Sequence, residues 1–103
     1  LKLSSVTIIV FDEFELIIPN VFSPNGDGAN DVFELFTKGV TDIDAKIYNR
    51  WGQQVGEFTG ITGNWDGKKD GSECPDAVYY YVITVTKASG DPEVFSGHVT
   101  LTR

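Results

Sequence analysis

The chain has 103 residues, with 8 Lys+Arg against 15 Asp+Glu for a formal net charge of -7, one Cys, one His and no Met. A chain of that size closes one hydrophobic core without disulfides or zinc, and no run approaches the roughly 18 apolar residues of a membrane-spanning helix. The acidic balance disfavours nucleic acid, whose phosphates call for a basic surface.

The charge divides as -4 over residues 1–52 and -3 over 53–103, which reads as a solvated surface rather than an acidic tail. No basic, apolar, small-residue leader opens the sequence, and the missing methionine leads us to expect a piece of a longer product. Cys74 alone excludes an internal disulfide framework and a Cys-rich zinc site. His98 sits at an alternating strand position, where a satisfied or solvent-facing histidine is the ordinary case. One His and one Cys without a nucleophile elbow leave little for Ser-His or Cys-His catalysis, so no enzyme is expected.

Strand signals recur along the chain and no long helical period survives its Gly, Pro and β-branched interruptions. Residues 6–11 (V-T-I-I-V-F) are β-branched and apolar. Phe14–Ile18 follows and ends at Pro19. Val32–Phe36 is the next short run. Ile43–Tyr48 alternates, with Ile43, Ala45 and Ile47 on one face. Gln54–Phe58 is weaker. Val78–Thr86 reads V-Y-Y-Y-V-I-T-V-T, the strongest strand, apolar on both faces and so central. Its Tyr79 and Tyr81 are expected to face away from the core with hydroxyls toward water. Val94–Thr102 closes the series, with Phe95, Gly97, Val99 and Leu101 on one face. These segments predict an all-β, Ig-like antiparallel β-sandwich of about seven strands. Residues 1–16 are either its first strand or a linker from a preceding domain, and 17–103 form the domain proper.

Three stretches between strands could carry function. Residues 24–31 (P-N-G-D-G-A-N-D) place Asn25, Asp27 and Asp31 at even spacing on a glycine-rich loop, a pattern of hard oxygen donors that suits calcium. The match to an EF-hand is partial, since Ala29, Asn30 and Phe36 stand where its third ligand, turn glycine and terminal Glu would be. The competing reading is an Asx-turn loop that binds its own backbone, so no cofactor is required and calcium is the one candidate. Asn49-Arg50-Trp51-Gly52 reads as a hairpin turn in which Gly52 supplies positive φ. Trp65-Asp66-Gly67-Lys68-Lys69-Asp70-Gly71 is a second turn cluster, whose acids pair with its lysines or cap its turns. Trp51, Trp65 and the run Tyr79, Tyr80 and Tyr81 offer an aromatic platform for sugar, against the plainer reading that they fill the core and its rim.

Five blocks in order then resemble one family. They are P-N-V-F-S-P-N-G-D-G-A-N-D-V-F (19–33), I-Y-N-R-W-G-Q-Q-V (47–55), N-W-D-G-K-K-D-G (64–71), P-D-A-V-Y-Y-Y (75–81) and G-H-V-T-L-T-R (97–103). Together they resemble the gliding-motility-associated C-terminal domain, the type B sorting domain of the type IX secretion system. One departure is Ala77, where the family carries glycine, which strains the turn if that position needs positive φ. The resemblance implies a non-catalytic C-terminal targeting domain. It would direct a large passenger, often an adhesin or motility protein of a Bacteroidetes-type bacterium, from the periplasm across the outer membrane to the cell surface or medium. The implied partner is the secretion machinery, through a PorP/SprF-type outer-membrane protein, with the domain a monomer in isolation. Asn25, Asp27, Asp31, Arg50, Trp51 and Arg103 are the candidate partner-recognition residues, Arg50 by stacking on Trp51 or Trp65, by offering its charge, or merely by fixing the hairpin. The alternative is an Ig-like structural or adhesive module that binds glycans.

Overall fold

The structure is a computed structural model that describes residues 6–10, 14–24 and 31–103, the first of these stretches through its backbone. In chain order the strands are β1 (Val6–Val10), β2 (Glu15–Pro19), β3 (Val21–Phe22), β4 (Phe33–Glu34), β5 (Phe36–Lys38), β6 (Val40–Tyr48), β7 (Gln54–Thr59), β8 (Asn64–Trp65), β9 (Lys68–Lys69), β10 (Ser72–Glu73), β11 (Ala77–Lys87) and β12 (Pro92–Leu101). One layer is a five-stranded sheet in the order β3-β12-β11-β6-β7. The other is built from the three-stranded sheet β1-β2-β5 and the short pair β4-β8. The fold is therefore the all-β sandwich that the alternation predicts.

Side-chain period decides which face each strand buries. β6 turns Ile43, Ala45 and Ile47 inward and leaves Asp42 and Asp44 exposed. β12 buries Val99 and Leu101. β11 buries Tyr79, Tyr81, Ile83 and Val85 and exposes Val78, Tyr80 and Val82. The expectation for the two tyrosines is thus reversed. The deciding residues are Thr84 and Thr86, which share a face with Val78, Tyr80 and Val82 and keep that face toward water, while Ile83 and Val85 take their side to the core.

Three other details depart from seven antiparallel strands. The run 32–36 divides at buried Leu35, so that Phe33 pairs with Trp65 and Phe36 with Ile17 in a different sheet. β3 lies parallel to the end of β12, Val21 opposite Thr100 and Phe22 opposite Leu101. β8, β9 and β10 are two-residue pairings that no periodicity announces. β1 pairs with β2 along five residues, Val6 opposite Pro19 through Val10 opposite Glu15.

The two layers meet in an aromatic cluster. Phe33 lies 5.8 Å from Tyr81, 6.2 Å from Phe22 and 6.2 Å from Phe58 between ring centroids. Trp65 continues the chain of rings, 5.5 Å from Phe22 and 5.3 Å from Tyr79. Rings at these separations add to the burial energy itself. Gly97 is required by this packing, since a Cβ there would stand 2.5 Å from the Tyr81 hydroxyl.

Candidate functional site

The 49–53 turn is held by one side chain. Asn49 Oδ1 accepts from the amides of Trp51 and Gln53, each at 3.0 Å, and its amide nitrogen donates to Gln53 Oε1 at 2.9 Å. Two backbone bonds close the loop, Asn49 N to Gln53 O at 2.9 Å and Gly52 N to Asn49 O at 3.0 Å. Gly52 has φ +80, as the hairpin reading requires. Trp51 is thereby presented on a fixed backbone while 71% exposed. The Arg50 guanidinium lies 4.3 Å above the Trp51 ring, so of the two stacking partners it takes Trp51. Trp65 is in the core, where its indole N–H donates to Lys68 O at 3.0 Å.

A bulge shapes the floor beside this turn. Ile47 faces Gly56 and Tyr48 faces Gln54, so Val55 is an extra residue on β7. Such an insertion re-aims a side chain, and here Val55 is buried. Val55, Trp51 and the segment from Cys74 to Tyr79 line a cleft of about 290 Å³.

The far wall of the cleft is pinned by Arg103. Its backbone amide donates to Asp76 Oδ2 at 2.9 Å. Its Nη1 reaches Asp76 Oδ1 at 3.1 Å and Cys74 O at 2.6 Å, and its Nε pairs with Glu73 Oε2 at 3.0 Å. The amide bond, and then the guanidinium, hold the Asp76 carboxyl below the usual carboxylate range. Burial pushes the Cys74 thiol up, against the opposing charge of Arg103, so the thiol stays protonated near neutrality. Burial likewise raises Tyr79, whose hydroxyl donates to Pro75 O at 2.6 Å. Ala77 opens β11 with no positive φ, so its departure from glycine brings no strain.

The second turn cluster is a hairpin. Lys69 faces Ser72 and Lys68 faces Glu73, around Asp70 at φ 52 and Gly71 at φ 82. Positive φ at two central residues is the twist-matched geometry of a tight hairpin, and Asp-Gly is a favoured pair for it. Asp66 Oδ1 accepts from the Lys68 amide at 3.1 Å, a turn bond. Gly67, at φ 81, leaves room for its neighbours: a Cβ there would stand 3.0 Å from Leu101 Cδ1 and 3.3 Å from Pro24 Cγ.

Of the residues singled out from sequence, Arg50, Trp51 and Arg103 are brought to one end of the sandwich, linked through Asp76 and the cleft. Pro24 adjoins the same end at Gly67. Asn25 and Asp27 lie outside the described residues, and the calcium reading of their loop lies there with them. Asp31 is half-buried and engaged. Among the described residues, no group of three or more His, Cys, Asp or Glu side chains gathers to hold a metal. The aromatic sugar platform is overturned for Trp65, Tyr79 and Tyr81, which are buried, while Trp51 and Tyr80 remain exposed. Sequence reasoning missed Asn49 as the organiser of the turn, for which the N-x-x-G spacing is the signal. It also missed Asp76 and Cys74 as partners of Arg103, for which no local signal exists.

Comparison with known families adds one match: the model of the CHU_C type IX secretion signal domain covers residues 16–101. No curated protein matches the chain.

Proposed function

The chain belongs to the CHU_C family of type IX secretion signal domains, and from that premise we propose that it directs a large passenger protein from the periplasm across the outer membrane to the cell surface or medium. A secretion-targeting role comes with the family. The passenger, the route and the receptor are our reading, with a PorP/SprF-type outer-membrane protein as the partner. The domain acts without catalysis, as a signal recognised in its folded form.

One observation carries the reading. Blocks far apart in sequence come to one end of the molecule: Arg103 of the C-terminal block ties down the 75–81 strand start through Asp76, and the 47–55 turn lines one cleft with that segment. A surface held on a rigid scaffold is recognised with less ordering cost than a flexible peptide. The pairing of β1 (Val6–Val10) with β2 supports counting a strand from the 1–16 segment as part of this domain rather than reading the segment as a linker.

The test is export. Residues 1–103 are fused behind a periplasmic reporter in a host that carries the secretion system. We expect reporter in the medium or at the surface. Reporter retained in the periplasm, while another type B domain exports it, would reject the proposal.

A further inference from the structure

We infer that the Trp51 cleft binds an extended protein segment that pairs an apolar or aromatic side chain with a neighbouring carboxylate. The inference rests on the secretion reading above and names the chemistry of the partner at that end of the domain.

Four observations converge. Trp51 is a large apolar side chain, exposed, on a turn that Asn49 holds in place. Exposed aromatics that lose little freedom on binding are the usual anchors of protein interfaces. Beside it, the cleft of about 290 Å³ is walled by Val55, Pro75, Ala77 and Val78, a space that takes one apolar side chain.

The charge pattern selects the rest of the ligand. Two ionised side chains line the cleft, Arg50 and Asp76. Asp76 is neutralised by the Arg103 amide and guanidinium. Arg50 is stacked on Trp51, and among the described residues no ion pair engages it. In a chain of net charge -7, the cleft thus presents an unspent cation, and an incoming carboxylate is its complement.

The length of the surface selects a chain over a small molecule. Val78 belongs to the cleft and also opens a track on the outer face of β11, Val78, Tyr80 and Val82, exposed at 43%, 47% and 40%. These positions alternate along the strand, so the track runs for roughly 13 Å beyond the cleft at about 3.4 Å per residue. An extended segment lies along such a track with every second side chain facing it.

The experiment uses the labelled 103-residue chain and nuclear magnetic resonance titration. The probe is acetyl-Gly-Asp-Phe-Glu-Gly-amide, compared with the same peptide carrying Asn and Gln, and with one carrying two Lys. We expect saturable shifts at the Trp51 indole N–H and at the amides of Val78, Tyr80 and Val82. The neutral peptide, and the Arg50→Gln variant with the acidic peptide, should bind roughly 1.5- to fivefold more weakly, the range for one exposed charge pair. Trp51→Ala should abolish the shifts while the melting temperature stays unchanged. No saturable shift, equal binding of all three peptides, or shifts centred elsewhere would overturn the inference. So would saturable binding of a soluble glycan panel at Trp51 with none of the peptides. The export assay separates the two readings: export lost in Arg50→Gln without peptide binding would sink this inference and leave the secretion reading standing. Peptide binding at the cleft in a domain that fails to export would support the inference and remove the secretion reading.

Discussion

At the residue scale the molecule depends heavily on Arg103. It gathers two carbonyls and two carboxylates that lie 27 to 36 positions earlier, and so closes the end of the sandwich where the turn of β6 and β7 also sits. A carboxylate that accepts from a backbone amide and a guanidinium is favoured in its charged form. For Asp76 this lowers the folded-state pKa beneath its ordinary value of 3.8. The unfolded chain then binds more protons than the folded one as acid is added. The stability that Asp76 contributes is therefore complete above about 3.8 and is lost as pH falls through the lower, folded value. Thermal melts of the wild type and of Asp76→Asn across pH 7 to 2 check this: the variant should start less stable, and the gap between the two should close at the acid end. A gap that stays constant with pH would show that the carboxylate's charge plays no part. Arg103 stood out in sequence only as the end of a family block. Its partners could not be read there, because pairings that far apart in sequence are set by the fold rather than by any local pattern.

At the element scale β7 shows how a short, weak strand can matter more than a long one. Its sequence, Q-V-G-E-F-T, alternates poorly because it is bulged, with Val55 inserted opposite the step from Ile47 to Tyr48. Gly56 is forced by what lies over it: a Cβ at that position would collide with the Trp65 indole, 2.6 Å from Cδ1. Gly52, one turn away, is glycine for the opposite reason, since its φ of +80 matters and nothing lies within 4 Å of a Cβ. The two substitutions separate these causes. Gly56→Ala should cost about 1–3 kcal/mol through overpacking, and Gly52→Ala about 1 kcal/mol through backbone strain. Urea unfolding measures both, and only Gly56→Ala should also move the near-ultraviolet signal of Trp65. The same scale shows what was legible. Alternation gave away the inward faces of β6 and β12, although β6 starts three residues earlier than the reading, at Val40, and β12 two earlier, at Pro92. On β11 the three tyrosines and four aliphatics hid the answer, and the two threonines, Thr84 and Thr86, were the readable clue to the outer face. The two-residue strands β8, β9 and β10 were not legible, because a pairing that short exists only where Trp65 and the Asp70-Gly71 turn bring its partners together.

At the scale of the whole molecule, core and rim divide the work. Phe33 touches Phe22, Phe58 and Tyr81, rings from three strands of the opposite sheet, and is fully buried. Removing it leaves a cavity between layers that cannot easily collapse, so Phe33→Ala should cost about 3–5 kcal/mol. Against the 5–15 kcal/mol that such domains typically possess, that is enough to unfold part of the population. Trp51 makes the contrast: it is 71% exposed, and its truncation should change stability by no more than about 0.5 kcal/mol. Chemical denaturation of the two variants should therefore show a large shift of midpoint for Phe33→Ala with unchanged slope, and none for Trp51→Ala. Carried into the export assay, the pair distinguishes two kinds of signal. If the machinery requires only a folded sandwich, Phe33→Ala lowers export and Trp51→Ala does not. If it reads the end of the domain organised by Asn49 and Arg103, both variants lower export although only one loses stability. Export that is indifferent to Trp51→Ala, with the domain folded, would exclude Trp51 from the recognised surface.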